Sequence, residues 1–179
     1  MTTDQKGTIA EFAIAFAAIK LGVDVYRPLG EGGRYDLILG PGERLFRVQC
    51  KWAALSGDVL HVRCSSCRRG AGGKLIHRRY STSDVDLFGA YSVDLDECFL
   101  LPPRLWENRR EVSLRVGPTQ NNQARGVNWA KEYEMAATLR SLGAIAQLGE
   151  RQSGTLEVTG SNPVGSIDLK SAFQPRRNG

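Results

Sequence analysis

The sequence predicts an α/β domain, a mixed β-sheet flanked by helices, and three observations predict it. An amphipathic helical stretch opens the chain. Short apolar runs separated by glycine and proline turns follow it, and another helical stretch closes the well-patterned part near Leu142. The chain has 179 residues and 41% hydrophobic content, enough for one domain plus a tail, with a core that needs no staples.

Residues Asp4 to Leu21 read as the first helix. Ile9, Phe12, Ala13, Phe16 and Ala17 recur at helical spacing, which makes them the expected buried stripe, and Gly22 supplies the stop. Glu11 lies beside that stripe. Its helical neighbours Gly7, Thr8, Ala15 and Ala18 are small, so a sheet or a substrate can come close. Strands are expected at Val23 to Tyr26, Tyr35 to Leu39 and Arg44 to Trp52, the last two joined as a hairpin by "GPGE". The glycines of "LGEGGRYDLILG" precede a strand and do not open a helix, which argues against a dinucleotide fold. Further on, "VDLDECFLLP" gives an apolar strand from Cys98 to Leu101 stopped by Pro102 and Pro103, and Asn128 is expected to cap a helix running to Leu142. Asp84, Asp86, Asp94 and Asp96 lack the spacing of a calcium loop and are read as strand-edge and capping residues.

The third strand, "RLFRVQCKWA", carries the sharpest signal. Gln49 and Lys51 stand two apart among apolar residues, hence on one face. A sheet with one wet face would hold them in water. A covered face would oblige each to find a partner, because buried amides and ammonium groups go unpaired only at a cost. Asp36 starts the hairpin's other strand, so an acid, an amide and an ammonium can converge. That set suits a hard divalent cation, held by Asp36, an amide or carbonyl oxygen such as the backbone carbonyl of Cys50, and a substrate phosphate. Lys51 can then orient or deprotonate a water or stabilise transition-state charge, with Glu11 completing the site from the helix. For Glu11 a solvated helix face, and for Asp36 a strand-initiating turn, are the alternatives.

Charge points to a partner. The net charge is +5, and from His61 to Tyr80 the chain carries Arg63, Arg68, Arg69, Lys74, Arg78 and Arg79 with no acid. Glycines at Gly70, Gly72 and Gly73 make this a hairpin between "HVRC" and "KLIHRRY", read either as a solvated basic loop or as a DNA contact. Arg34 in the glycine-rich loop joins the DNA-binding candidates. So do Asn122, Gln123 and Arg125, whose side chains suit adenine and guanine edges, with a polar surface turn as the alternative. The four cysteines do not form a disulfide framework, and Cys64 and Cys67 lack a second pair with zinc-finger spacing. With no signal peptide and no membrane-spanning apolar run, the expected location is the cytoplasm, without a membrane partner.

The order Glu11, Asp36, Gln49-x-Lys51 resembles the PD-(D/E)xK nuclease core, in the variant of intron-encoded homing endonucleases of the cyanobacterial type, where Gln replaces the usual acid. "GEGGRYDLI", "RVQCKWA", "DVDLFGAYSVDLDECFLLP" and "NNQARGVNWAKEYE" resemble that family's segments in the same order, covering about Lys6 to Leu142. The resemblance implies a restriction-endonuclease-like core and metal-dependent cleavage of double-stranded DNA by a homo-oligomer, a dimer or a tetramer. It implies Glu11 and Asp36 as metal ligands, Gln49 in the place of the missing acid and Lys51 as the catalytic lysine. The expected cofactor is Mg2+, with Mn2+ as a substitute. Tyr35 stands where the motif's proline would be. A Holliday-junction-resolvase-like nuclease and a catalytically degraded DNA-binding relic share the same residues.

The nuclease domain is thus read as residues 1–142, with the basic hairpin at 61–80, and residues 143–179 as a poorly structured tail. The tail is rich in Gly and Ser with little periodicity. Back-translated, "TGSNPV" can spell ACA GGT TCG AAT CCT GTT, a tRNA T-arm. Likewise GGAGCCA from Gly143 onward can pair with TGGCTCC ending at Ser166, as if the reading frame ran into a tRNA gene.

Overall fold

The computed structural model describes residues 1–30, 32–69, 71–119 and 125–142. Asn122, Gln123 and the tail 143–179 lie outside them. The chain opens with α1 (Thr3–Lys20), whose first turn is closed by a capping box. The Thr2 hydroxyl accepts from the Gln5 N–H, and the Gln5 side chain accepts in return from the Thr2 N–H. Gly22, at φ 72°, ends the helix as expected. A seven-stranded sheet follows, in which β1 (Asp24–Tyr26), β2 (Leu37–Gly40) and β3 (Phe46–Ser56) run antiparallel in succession. The β2–β3 hairpin turns through Gly42, at φ 77°.

β3 organises the sheet. Its first residues pair with β2, its middle pairs in parallel with β7 (Leu87–Ser92), and its end pairs with β4 (Val59–Arg63). Beyond β7 lies β8 (Glu97–Leu101), and beyond β4 lies β9 (Glu111–Arg115). The parallel β3–β7 pair is pinned where β7 begins: Asp86 takes two guanidinium bonds from Arg47, 3.0 and 2.9 Å, and a third from its backbone N–H at 2.7 Å. Asp84 and Asp86 are therefore arginine partners. Asp96 instead accepts from the Tyr91 hydroxyl at 2.9 Å.

Two apolar clusters cover the two faces of the sheet. On one, α1 and α3 (Met135–Ser141) pack over Leu37, Leu39, Val48, Cys50, Leu87 and Leu100. On the other, β4, β9 and the short α2 (Pro103–Trp106) enclose Phe88, Ala90, Phe99 and Leu101, with Tyr80 edge-on to Phe88 and Phe88 5.0 Å from Trp106. Among the described residues no helix is long and apolar enough to cross a membrane.

Three expectations are corrected. The inward face of α1 is Ala10, Ile14 and Ala18, while Phe12 and Phe16 are each 64% exposed and Ile19 59%, with Ile9 also outside. Close approach explains the choice. At Gly89 of β7 an added Cβ would stand only 3.0 Å from Ile14 Cδ1 and 3.1 Å from Val48 Cγ1, so α1 sits too near the sheet for phenylalanine. The expected helix from Asn128 is instead a 3-10 turn at Ala130–Tyr133 followed by α3. Asn128 bonds to β9 through its carbonyl and side chain, and Glu134 bridges to Phe99, which breaks the helix in two. The basic hairpin also begins later than "HVRC", because His61 to Arg63 are spent pairing β4 with β9. Its arms are β5 (Ser65–Arg69) and β6 (Leu75–Arg79), which form a separate two-stranded ribbon.

Candidate active site

The site forms where β3 loses a partner. β2 pairs with β3 as far as Val48, whose carbonyl accepts from the Asp36 N–H at 2.9 Å. In a strand the N–H and C=O of one residue point to the same edge, and alternate residues share it. Cys50 is therefore the next residue of β3 to face that edge. Its N–H finds no strand there and donates to Asp36 Oδ2 at 2.7 Å. The Cys50 carbonyl is turned the same way, and Gln49 Nε2 lies 3.4 Å from it. Gln49 Nε2 also donates to Asp36 Oδ2.

Gln49 and Lys51 stand opposite Phe88 and Ala90 of β7, on the face enclosed by β4, β9 and α2. The wet-face alternative is therefore overturned for Gln49, which is 7% exposed and partnered by Asp36. Burial makes the Lys51 ammonium easier to deprotonate than an ordinary lysine, against the opposing pull of Asp36. Its Nζ lies 5.4 Å from the centre of the Tyr80 ring.

Glu11 reaches the same region from α1. Its Oε2 is 3.0 Å from Arg27 Nη2. Burial raises its pKa first and the charge of Asp36 raises it further, while Arg27 pulls it down. Asp36 is raised too, by burial, although the Cys50 N–H, Lys51 and Gln49 each favour its charged form. Burial raises both carboxyls and the Asp36 charge adds to the rise at Glu11, which an added cation would relieve. Among the described residues only one oxygen of each takes a protein hydrogen bond, leaving Asp36 Oδ1 and Glu11 Oε1 to a ligand. With the Cys50 carbonyl this is an all-oxygen donor set, which fits Mg2+ or Mn2+. Water and phosphate oxygens would complete the set.

Three residues were missed from sequence. Arg27 pins Glu11 from 16 positions away. Tyr80 has two cations over its ring, the Arg34 guanidinium 3.8 Å and Lys51 Nζ 5.4 Å from the ring centre. Asp84 holds Arg34 at 3.0 Å, and that guanidinium draws the Asp84 carboxyl down to about 2. The one available signal was "HRRY", a lone aromatic ending an acid-free basic run.

Of the expected DNA contacts, Arg34 also donates to the Arg79 carbonyl at 2.7 Å and so ties the site to the ribbon. Arg63, Lys74, Arg78, Arg79 and Arg125 are exposed, and none sits in an ion pair among the described residues. Arg68 and Arg69 lie on β5. The C-x-x-C is split. Cys64 is in the core, where burial pushes its thiol up to about 12, and Cys67 is on the exposed ribbon.

A solved structure of a bacterial homing endonuclease, I-Ssp6803I, shares the fold with a TM-score of 0.64 at 24% identity, covering 82% of this chain and 98% of that one. No curated protein sequence matches the chain. Residues 1–136 match the family described as PD-(D/E)XK endonuclease, and that match spans the sheet, the helix bearing Glu11 and the gap at Cys50. The chain belongs to the PD-(D/E)XK endonuclease family and is by class a DNA endonuclease.

Proposed function

We propose that this endonuclease is of the homing type, cutting both strands of one duplex DNA sequence with Mg2+ as cofactor. The observation that carries this reading is the convergence of Glu11, Asp36, Gln49 and Lys51 at the unpaired edge of β3. A bound divalent cation would supply positive charge at the scissile phosphate and a more acidic water. Asp36, Glu11 and the Cys50 carbonyl would hold it. Gln49 keeps the Asp36 carboxylate turned outward without adding a third negative charge. Lys51, eased toward its neutral form by burial, accepts a proton from the attacking water. The β5–β6 ribbon has the width to enter a major groove, where Lys74, Arg78 and Arg79 would meet phosphates and base edges. The tRNA gene spelled by the tail is the first target to try.

One chain carries one such site, and a duplex has two strands, so two copies would act together. The outward face of α1, with Phe16 and Ile19, is the surface we assign to that partner copy. Phe16→Glu with Ile19→Glu is expected to give a monomer by light scattering. It should shift plasmid products from linear to nicked by at least about tenfold, since each monomer would release one nick at a time. An unchanged assembly would contradict the assignment.

The function itself is tested on a plasmid carrying the intact, intronless tRNA gene. Linearisation in Mg2+ and none in EDTA is the expected result. A preference for four-way junctions would replace the reading with a resolvase, and binding without turnover in any metal would replace it with a relic.

A further inference from the structure

Lys51 and its neighbour Cys50 also border a second space. A cleft of about 630 Å3 opens between the first turns of α1 and the β5–β6 ribbon, and reaches Lys51 and Trp52. Lys6 lines it from α1, Arg63 from β4, and Arg110 from the residue before β9. The Cys64 N–H donates to the Arg110 carbonyl at 2.8 Å, which fixes that backbone beside the end of β4. Lys6 Nζ lies 5.5 Å from the centre of the Trp52 ring, which holds it over the cleft. Among the described residues these four cations meet one lining acid, Glu111, and it is taken by His61 Nδ1 at 2.9 Å. Among the described residues none of the four cations is in an ion pair.

Gly7 is the independent observation. It sits inside α1, where glycine is a poor choice, and its φ is not left-handed. Among the described residues, and apart from the backbone of its own helix, no protein atom lies within 4 Å of where its Cβ would be, so nothing there forbids a side chain. Its bare backbone faces the cleft instead. The glycine leaves helix backbone open to the cleft at a cost in helix propensity.

We infer that this cleft carries the sugar–phosphate backbone of the strand being cut, leading it away from Lys51. Lys6, Arg63 and Arg110 are its phosphate contacts, and Gly7 is where the strand rests on helix backbone. This rests on the reading of Lys51 as part of the cutting site.

The test is a Gly7→Leu variant of the full chain, with Lys6→Ala and Arg110→Ala beside it. Gly7→Leu is expected to raise Tm by about 2–4 °C, since leucine is a far better helix former, and to lower duplex affinity and cleavage at least tenfold. Lys6→Ala and Arg110→Ala are each expected to reduce the slope of log K against log salt by about one. Lys20→Ala, on the same helix but outside the cleft, leaves that slope unchanged. Wild-type cleavage by Gly7→Leu, or unchanged slopes in both alanine variants, would overturn the cleft assignment. If Lys51→Met has lost cleavage in the same assay, the site reading survives that failure. Full cleavage by Lys51→Met would overturn the site reading instead.

Discussion

Asp36→Asn is expected to abolish cleavage, by about 10³-fold or more, while raising Tm in metal-free buffer. The two effects share one cause. Burial raises the Asp36 pKa above its unfolded value, so the folded chain holds that proton more tightly. The favourable contribution is therefore complete below the unfolded pKa and is lost as pH rises through the folded one. At neutral pH the ionised carboxylate is a net cost, only partly offset by the Cys50 N–H, Lys51 and Gln49. Asparagine removes the charge and keeps an oxygen for the Cys50 N–H. Added Mg2+ reverses the order of stability, because a cation that binds only the folded wild type stabilises it by about 2.7 kcal/mol at one hundred times its Kd. Thermal unfolding with and without Mg2+ checks both signs. A wild type that gains nothing from Mg2+, or an Asp36→Asn protein that gains as much, would contradict the ligand assignment.

Lys51→Met is expected to reduce the rate by about 10²–10⁴-fold, the usual range for a positioned proton acceptor, without loss of stability. Methionine fills the same volume beside Tyr80 and brings no charge to bury. Because burial lowers the Lys51 pKa, the wild-type rate should climb with pH and level off below the ordinary lysine range of about 10.4. Lys51→Arg is not expected to restore activity, since a guanidinium stays protonated at every working pH. Recovery in the arginine variant would assign Lys51 a charge-stabilising role in place of proton transfer.

The hairpin that builds the site was legible because its signals are local. Period-2 alternation put Gln49 and Lys51 on one face, and "GPGE" set Asp36 against them. Whether that face was wet was not legible. Its cover comes from β4, β9, α2 and Tyr80, brought together by pairings remote in sequence. Helix α1 shows the reverse problem. Its extent and stop are plain in the sequence, but helical spacing gives Ile9, Phe12, Ala13, Phe16 and Ala17 as the stripe, whereas the tight approach at Gly89 selects Ala10, Ile14 and Ala18. The phenylalanines left outside form an apolar face, which amphipathic periodicity cannot distinguish from a core stripe. Arg27 and Tyr80 escaped notice because their roles exist only through contacts with Glu11, Arg34 and Lys51. The split of the last helix depends on Glu134 bridging to Phe99, again a tertiary event.

The most direct measurement is cleavage of one duplex target in Mg2+ by wild type, Asp36→Asn and Lys51→Met at equal concentration, with binding followed in Ca2+. The predicted result is cutting by the wild type alone, with all three proteins binding the DNA within a few-fold of one another. Cutting at the wild-type rate by either variant would place the chemistry somewhere other than the unpaired edge of β3.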